Sequence, residues 1–495
     1  MSDSHLSVLV EAICQGLQAN DFDARVALVD VVAERYGKPT VKKTGIRNAY
    51  RQAAGAEGGV PYAGLTNFET TSQGAYGGAS LAWFPTEEHG SLITFVVGTT
   101  GLSPDEGILT RPGHRRRIAA LRRMLSRSGV ITWTKPDPSS LGVQIPQSIR
   151  ARFPGFDQAF NRYGSEMYCI AKVPKDRNLA YEVVRAFLDV YAFERGWQAL
   201  KGWEEEFKDL HGRLMEDVFP TVSPESVNAL LRRRRFVILQ GPPGTGKTRL
   251  AEVVRKNFFD SNGMTVQFHP AVAYEDFIVG LAPEPREGSL KFAVRKGWLL
   301  QAAECSKNAP CLLVVDEINR ADLGKVLGEA IFLFEADEIG GERPRSVRLP
   351  YAIDAATQGS QDFSLPQNLY VLATMNTADR SIASLDLAVR RRFAFVTMMP
   401  DREVVKSQGL PLAIEVFDRL LGVFVEHAPD DALDLLPGHS YFLASNQSEL
   451  LERFRYELLP LLNEYLRQGL VGRATSDLYA VRDEIEDRLS HEPAN

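Results

Sequence analysis

The chain of 495 residues is longer than one ordinary core organises and is read as two or three domains. Its 44% hydrophobic and 24% charged residues are those of a globular protein, and a net charge of -6 excludes a uniformly basic nucleic-acid coat, so any nucleic-acid contact has to be local. No run approaches the roughly 18–20 apolar residues of a membrane span, which excludes a membrane protein of that kind.

The N-terminal stretch MSDSHLSVLVEAICQGLQAND has no basic leader, and Glu11 and Gln15 interrupt its apolar run, so it does not read as a secretory signal. Cys14, Cys169, Cys305 and Cys311 lack CxxC spacing and mostly stand among apolar neighbours. They read as buried free thiols of a protein in the reducing cytoplasm. SLAWFP (80–85) and SLITFVVGTT (91–100) flank the turn-rich TEEHG, a pattern that predicts a hairpin.

Next, LTRPGHRRRIAALRRMLSRSG sets Arg111, His114, Arg115, Arg116, Arg117, Arg122, Arg123 and Arg127 around an apolar stripe of Ile118, Leu121 and Leu125. A dense arginine face of this kind would track phosphates, with Arg115, Arg116, Arg117, Arg122 and Arg123 as its nucleic-acid contacts. The competing reading is an amphipathic surface helix whose arginines pair with acids. Trp83, Phe84 and Trp133 read as packing for a small sheet, with stacking on a flipped base as the alternative. A helical stretch from AYEVVRAFLDVYAFERG onward closes this part. Residues 1–200 are thus expected to form an α+β domain, and 201–221 a helical linker.

In SPESVNALLRRRRFVILQGPPGTGKTRLAEVV, Ser223 is an expected N-cap ahead of Pro224, and FVILQ is an apolar strand of the kind buried in a parallel sheet. LRRRRF (231–236) reads as a cationic helix end. CLLVVDEINR and NLYVLATMNTADR repeat the pattern of an apolar strand with a polar C-terminal end. Residues 222–400 are therefore expected to form an α/β core with a parallel sheet flanked by helices, its ligands gathered at the strand ends. From 401 to 495 the pattern turns helical, as a small α-helical lid and tail.

GPPGTGKT fits G-x-x-x-x-G-K-[ST] between a strand and a helix. Backbone N–H groups of Gly241, Pro242, Pro243, Gly244, Thr245, Gly246, Lys247, Thr248 and Arg249, so far as each has one, would wrap phosphates. Lys247 would reach the β- and γ-phosphates and Thr248 would ligate Mg²⁺. Asp316, at the end of CLLVVD, would hold the Mg²⁺ shell through water, and Glu317 would polarise the attacking water. Asn376, ending a third strand, would hydrogen-bond that water or the γ-phosphate without adding charge. The following ASLDLAVRRRF delivers Arg390, Arg391 and Arg392, read as an arginine finger reaching a neighbour's γ-phosphate or as a solvated helix end. His439, in PGHSYF, reads as a structural residue.

Over residues 222–475 the chain resembles the McrB branch of the AAA+ NTPases, motor subunits of modification-dependent restriction systems. The resemblance rests on VQFHPAVAYEDFIVGLAPE, DEINRADLGKVLGEAIFLFEAD, VRLPYA with DFSLPQNLYVLATMNTADRS, and PGHSYF followed by YELLPLLNEYL. It implies that Asn376 is the first sensor, that Asn319 and Arg320 position water and neighbour contacts, and that Arg391 and Arg392 are the fingers. It also implies a homo-oligomeric ring, a hexamer, that hydrolyses GTP or ATP. A nuclease partner resembling McrC is implied with it, since the chain shows no PD…(D/E)xK set of its own, and so is DNA as the target of the variable N-terminal region. The triphosphate-contacting residues leave GTP and ATP both open. A MoxR-like ATPase chaperone with a von Willebrand factor A partner, and a nucleotide-gated binding switch, remain the alternatives.

Overall fold

The computed structural model describes residues 4–19, 22–50, 59–69, 76–286, 289–340, 344–352, 361–379 and 385–491. The chain divides into two compact units, Met1–Val218 with Val425–His427, and Phe219–Phe424 with Ala428–Asn495. Among the described residues no helix is long and apolar enough to cross a membrane.

The first unit is α+β. Its strands are β1 (Thr44–Asn48), β2 (Ala63–Asn67), β3 (Ala79–Pro85), β4 (Ser91–Val97), β5 (Thr132–Thr134) and β6 (Met167–Lys172), in one antiparallel sheet of order β1-β2-β3-β4-β6-β5. The predicted hairpin is β3–β4, with Ala79 opposite Val97 and Pro85 opposite Ser91. Strand alternation sends neighbours to opposite faces. Leu81 and Trp83 join one apolar core with the helices Ala24–Tyr36 and Arg177–Glu194, while Ala82 and Phe84 join another with Phe153 and Phe160. Trp83 and Phe84 are thus core side chains, and only Trp133 of the three aromatics is partly exposed. The helix Glu204–Val218, which falls across the expected linker, buries Leu210 and Leu214 in the first of these cores.

The arginine-rich stretch forms the helix Pro112–Arg127, but its charges are largely spent within this unit. Arg116 and Arg117 are buried, and Arg117 Nε donates to Glu194 at 2.7 Å. Arg111 also pairs with Glu194, Arg123 and Arg127 both pair with Asp217, and Arg115 and Arg122 are half-buried. A phosphate-tracking face needs free cations at the surface, so the ion-paired amphipathic helix is the better description. Deeper in, Arg35 holds Asp189 through two bonds of 3.0 and 3.1 Å with both side chains fully buried, and the Tyr36 hydroxyl donates to the same carboxylate.

The second unit carries a five-stranded parallel sheet of β7 (Phe236–Gly241), β8 (Gly263–Gln267), β11 (Cys311–Asp316), β14 (Leu369–Asn376) and β15 (Ala394–Thr397) in the order β15-β7-β14-β11-β8. The three inner strands are apolar runs; Phe236, Val237, Ile238 and Leu239, like Leu312, Leu313 and Val314, are fully buried because helices cover both faces, while the edge strand β8 buries only Val266. Two separate two-stranded ribbons accompany the sheet: β9 (Val279–Arg286) with β10 (Ser289–Lys296), and β12 (Val347–Arg348) with β13 (Asp362–Phe363). The predicted N-cap forms, with Ser223 accepting from Ser226 N–H at the head of the helix Pro224–Arg234. At the other end of that helix, Arg232 stacks over Phe259 and Tyr370. The helices Pro411–His427, Gln447–Arg453, Leu459–Arg467 and Thr475–His491 follow, packed about Phe417, Phe442, Phe454 and Leu462. The thiols are free: Cys169 and Cys311 are buried as expected, Cys14 is partly so, and Cys305 is exposed.

His211 lies between the rings of Phe193 and Phe207, at centroid separations of 4.4 and 4.6 Å. Burial, reinforced by the Arg117 charge, pushes its imidazole down from 6.5 to about 4. The unfolded chain protonates this ring below pH 6.5 and the folded chain only near 4, so the stability it confers is complete above 6.5 and lost as the pH falls through that window. His211→Gln is expected to flatten the acid-side loss by on the order of 1–3 kcal/mol, read from urea unfolding at pH 7, 5.5 and 4.5. Parallel wild-type and variant profiles would contradict it.

Candidate active site

The site lies where the parallel strands end. In the register Asn376 stands opposite Gly241 and Val315 opposite Ala373, so β7, β11 and β14 finish together, with β14 in the middle. The chain after β7 turns through the glycine-rich loop into the helix Lys247–Phe258, whose unpaired N–H groups and dipole favour an anion. Gly244 and Gly246 hold φ near +77° and +75°, conformations that cost a side chain energy and that keep the loop wrapped.

Lys247 is buried, and its Nζ donates to the carbonyls of Gly241 at 3.0 Å and Pro242 at 2.6 Å. Burial pulls its ammonium down to about 8, against the opposing pull of Glu317, Asp316 and Asp434. Thr248 and Arg249 are exposed at the loop's mouth. Thr248 Oγ1 donates to Asp316 Oδ1 at 2.7 Å, which sets a hydroxyl and a carboxylate side by side. That pair of hard oxygen donors suits Mg²⁺ arriving with phosphates. Among the described residues no group of three or more His, Cys, Asp or Glu forms a metal cage.

Glu317 has φ +57°, an uncommon conformation for a residue with a side chain, which turns its carboxylate off the strand axis. Asn376 Nδ2 donates to one of its oxygens at 2.6 Å and Arg320 Nε to the other at 2.5 Å, so both are occupied. Arg320 is also 3.7 Å from Asp379. Asn319 is buried and donates to the Asn376 carbonyl at 3.2 Å. The sequence reading passed over Thr374. Its hydroxyl, two residues before Asn376 and on the same face, donates to Asp316 Oδ1 at 2.6 Å and accepts Glu317 N–H at 3.1 Å. The available signal was a hydroxyl inside the apolar run LYVLATM.

The three arginines separate. Arg390 and Arg391 are exposed. Arg392 is buried, donates to the Ala388 carbonyl at 2.7 Å and lies 3.3 Å from Glu335, so it serves its own chain and does not reach outward. Arg380 and Ser381, the end of the MNTADRS stretch, lie outside the described residues.

The sheet order and the converging strand ends are those of an AAA module, and residues 236–393 match the AAA domain (dynein-related subfamily). This stretch is an AAA domain. Within that class the chain is similar to two curated restriction-system components. It is 32% identical to the Type IV methyl-directed restriction enzyme EcoKMcrB subunit of Escherichia coli (strain K12) over 277 residues, 51% of this chain and 58% of that protein. It is 27% identical to the Type II restriction enzyme BsuMI component YdiS of Bacillus subtilis (strain 168) over 217 residues, 37% of this chain and 63% of that one. The chain therefore spans less than two thirds of the length of either curated relative. Among solved structures, NtrX from Brucella abortus in complex with ADP aligns at 14% identity and a TM-score of 0.24 over 62% of this chain and 76% of that one. The fold assignment rests on the sheet and the domain match, not on that likeness.

Thr374→Val keeps the shape of the side chain but leaves Glu317 N–H without its acceptor. It is expected to lower the stability of the second unit by about 1–3 kcal/mol, measured by chemical denaturation, with Thr374→Ser close to wild type. Equal midpoints for the valine variant and wild type would remove Thr374 from the network.

Proposed function

We propose that this protein is a nucleoside triphosphatase that binds GTP or ATP and hydrolyses it in a homo-oligomeric ring, as the motor subunit of a restriction or anti-phage defence system. The observation that carries the reading is the meeting of Lys247, Thr248, Asp316, Glu317, Thr374 and Asn376 at the ends of three adjacent parallel strands. The restriction role is supported by the names of the two curated relatives, and both favour it over the MoxR-like chaperone.

In this mechanism the N–H groups of loop 241–248 take the phosphates, and Lys247 exchanges the carbonyls of Gly241 and Pro242 for phosphate oxygens. Mg²⁺, when bound, neutralises charge on the β- and γ-phosphates, with Thr248 and Asp316 as the residues that would hold it. Thr374 fixes the Asp316 carboxylate for that task. Glu317 accepts a proton from the attacking water once one of its oxygens is released by Arg320 or Asn376, and Asn376 then orients the water. Arg391, exposed where Arg392 is buried, is the arginine finger offered to a neighbouring subunit.

A nuclease resembling McrC is the proposed partner and DNA the proposed target, in the cytoplasm. Reading of that target falls to the first unit by its position in the chain; the helix Pro112–Arg127 is not its phosphate contact. The test is steady-state phosphate release from GTP and from ATP, with and without DNA and the McrC-like subunit. Turnover of at least one nucleotide, lost in Lys247→Ala, is expected. No turnover in any combination would defeat the enzyme reading, and turnover that continues in Lys247→Ala would place the chemistry elsewhere.

A further inference from the structure

The run LRRRRF, residues 231–236, brings four consecutive arginines to the end of the parallel sheet opposite the phosphate loop. Arg232, Arg233 and Arg234 close the helix Pro224–Arg234, and Arg235 caps it with φ +61° before β7 begins at Phe236. Phe236 pairs with Val371 near the start of β14, whereas the phosphate loop leaves the other end of β7. At about 3.3 Å per residue, the six residues of β7 set those two ends roughly 20 Å apart.

Two of the four guanidiniums are held by groups that leave their charge in place. Arg232 Nη2 donates to the Phe258 carbonyl at 3.0 Å, and its guanidinium lies 4.6 Å from the Phe259 ring and 4.8 Å from the Tyr370 ring. Arg235 donates to the Gln367 carbonyl and lies 5.4 Å from the same Tyr370 ring. Rings and carbonyls orient a guanidinium without neutralising it. Arg233 and Arg234 are exposed, and among the described residues neither has a hydrogen bond or an ion pair. Asp260, the acid beside Phe259, is exposed and pairs with none of the four.

A chain with 63 acidic residues and a net charge of -6 has carboxylates to spare. It sets them against the helix Pro112–Arg127, where Arg111, Arg117, Arg123 and Arg127 are all ion-paired, and sets none against this run. The helix dipole favours a cation in the last turn by about 0.3–1 kcal/mol, which accounts for one or two arginines. Four in a row repel one another, and a neighbouring acid would relieve that cost. Cations left without acids, two of them with their planes fixed, are suited to an anion from outside the chain, and the planar fork of arginine matches phosphate oxygens two at a time.

We infer that Arg232, Arg233, Arg234 and Arg235 form a docking surface for the sugar–phosphate backbone of DNA, independent of base sequence and carried by the nucleotide-binding unit. The inference rests on the proposed DNA target and gives the second unit a grip on it of its own. Consecutive cations at one helix end suit a polymer that presents phosphate after phosphate. This surface meets the requirement that the helix Pro112–Arg127 fails, since its cations are not spent inside the protein.

The experiment is fluorescence anisotropy of the full chain with two labelled duplexes of unrelated sequence, over a range of KCl concentrations, with labelled poly-glutamate as a third probe. The double variant Arg233→Gln, Arg234→Gln is expected to bind both duplexes roughly tenfold to a hundredfold more weakly near 0.1 M salt, because each lost phosphate contact removes a salt exponent of about 0.9. Its plot of log affinity against log salt is expected to be shallower by about 2. The double variant Arg233→Lys, Arg234→Lys is expected to recover most of the affinity, and phosphate release without DNA is expected to match wild type in both. Wild-type DNA affinity and slope in the Gln variant, equal losses in the Gln and Lys variants, or a loss confined to one duplex would each overturn the inference and leave the DNA target standing. Loss of poly-glutamate binding with DNA binding intact would overturn it in favour of an acidic protein partner. Failure of the wild-type chain to bind either duplex would overturn both the inference and the DNA target.

Discussion

The pairing of β14 between β7 and β11 is the constraint on which the rest of the second unit depends. Parallel strands cannot be joined by a tight turn, so each reaches its place through a helical crossover, and all five end on the same side. Because β14 was inserted in the middle, Asn376 stands beside Gly241, at the start of the phosphate loop, and Thr374 stands within reach of Asp316. A slip of one residue would turn Thr374 and Asn376 to the opposite face and break both contacts with β11 at once. The apolar runs of these strands, buried on both faces, hold the register; the polar residues only use it.

What the register assembles is a polar network in which nearly every functional group already has a partner. Lys247 is held by loop carbonyls, Thr248 by Asp316, and Glu317 by Asn376 and Arg320. A buried lysine or carboxylate left alone would cost several kcal/mol, so the partners stabilise the site as it stands. Those same partners define what has to change when phosphates enter. In the proposed mechanism Lys247 leaves its carbonyls and one oxygen of Glu317 is freed.

Much of this was legible in the chain itself. FVILQ, CLLVVD and NLYVLATMN announce buried strands by uninterrupted apolar runs, and the glycine spacing of GPPGTGKT announces a loop that cradles anions. The similarity to McrB was readable from ordered motifs. Less legible were pairings between residues far apart in sequence, because periodicity reports which face is buried and not what lies across it. Arg117 meets Glu194, and Arg123 and Arg127 meet Asp217, so a helix that reads as a phosphate track is ion-paired. Arg392 reads like Arg391 yet packs against Glu335. The ribbon β9–β10 went unread because Pro283 and Pro285 argue against a strand, although a two-stranded ribbon is all edge and tolerates them. Thr374 was hidden by its apolar neighbours.

The central claim is that Glu317 is the group that activates water while the rest of the site binds. Its most direct test is the identity of the nucleotide recovered from a Glu317→Gln chain after prolonged incubation with Mg²⁺ and GTP or ATP, separated by ion-exchange chromatography beside wild type. The account predicts intact triphosphate on the variant and diphosphate on wild type. Diphosphate accumulating on Glu317→Gln at the wild-type rate would contradict it.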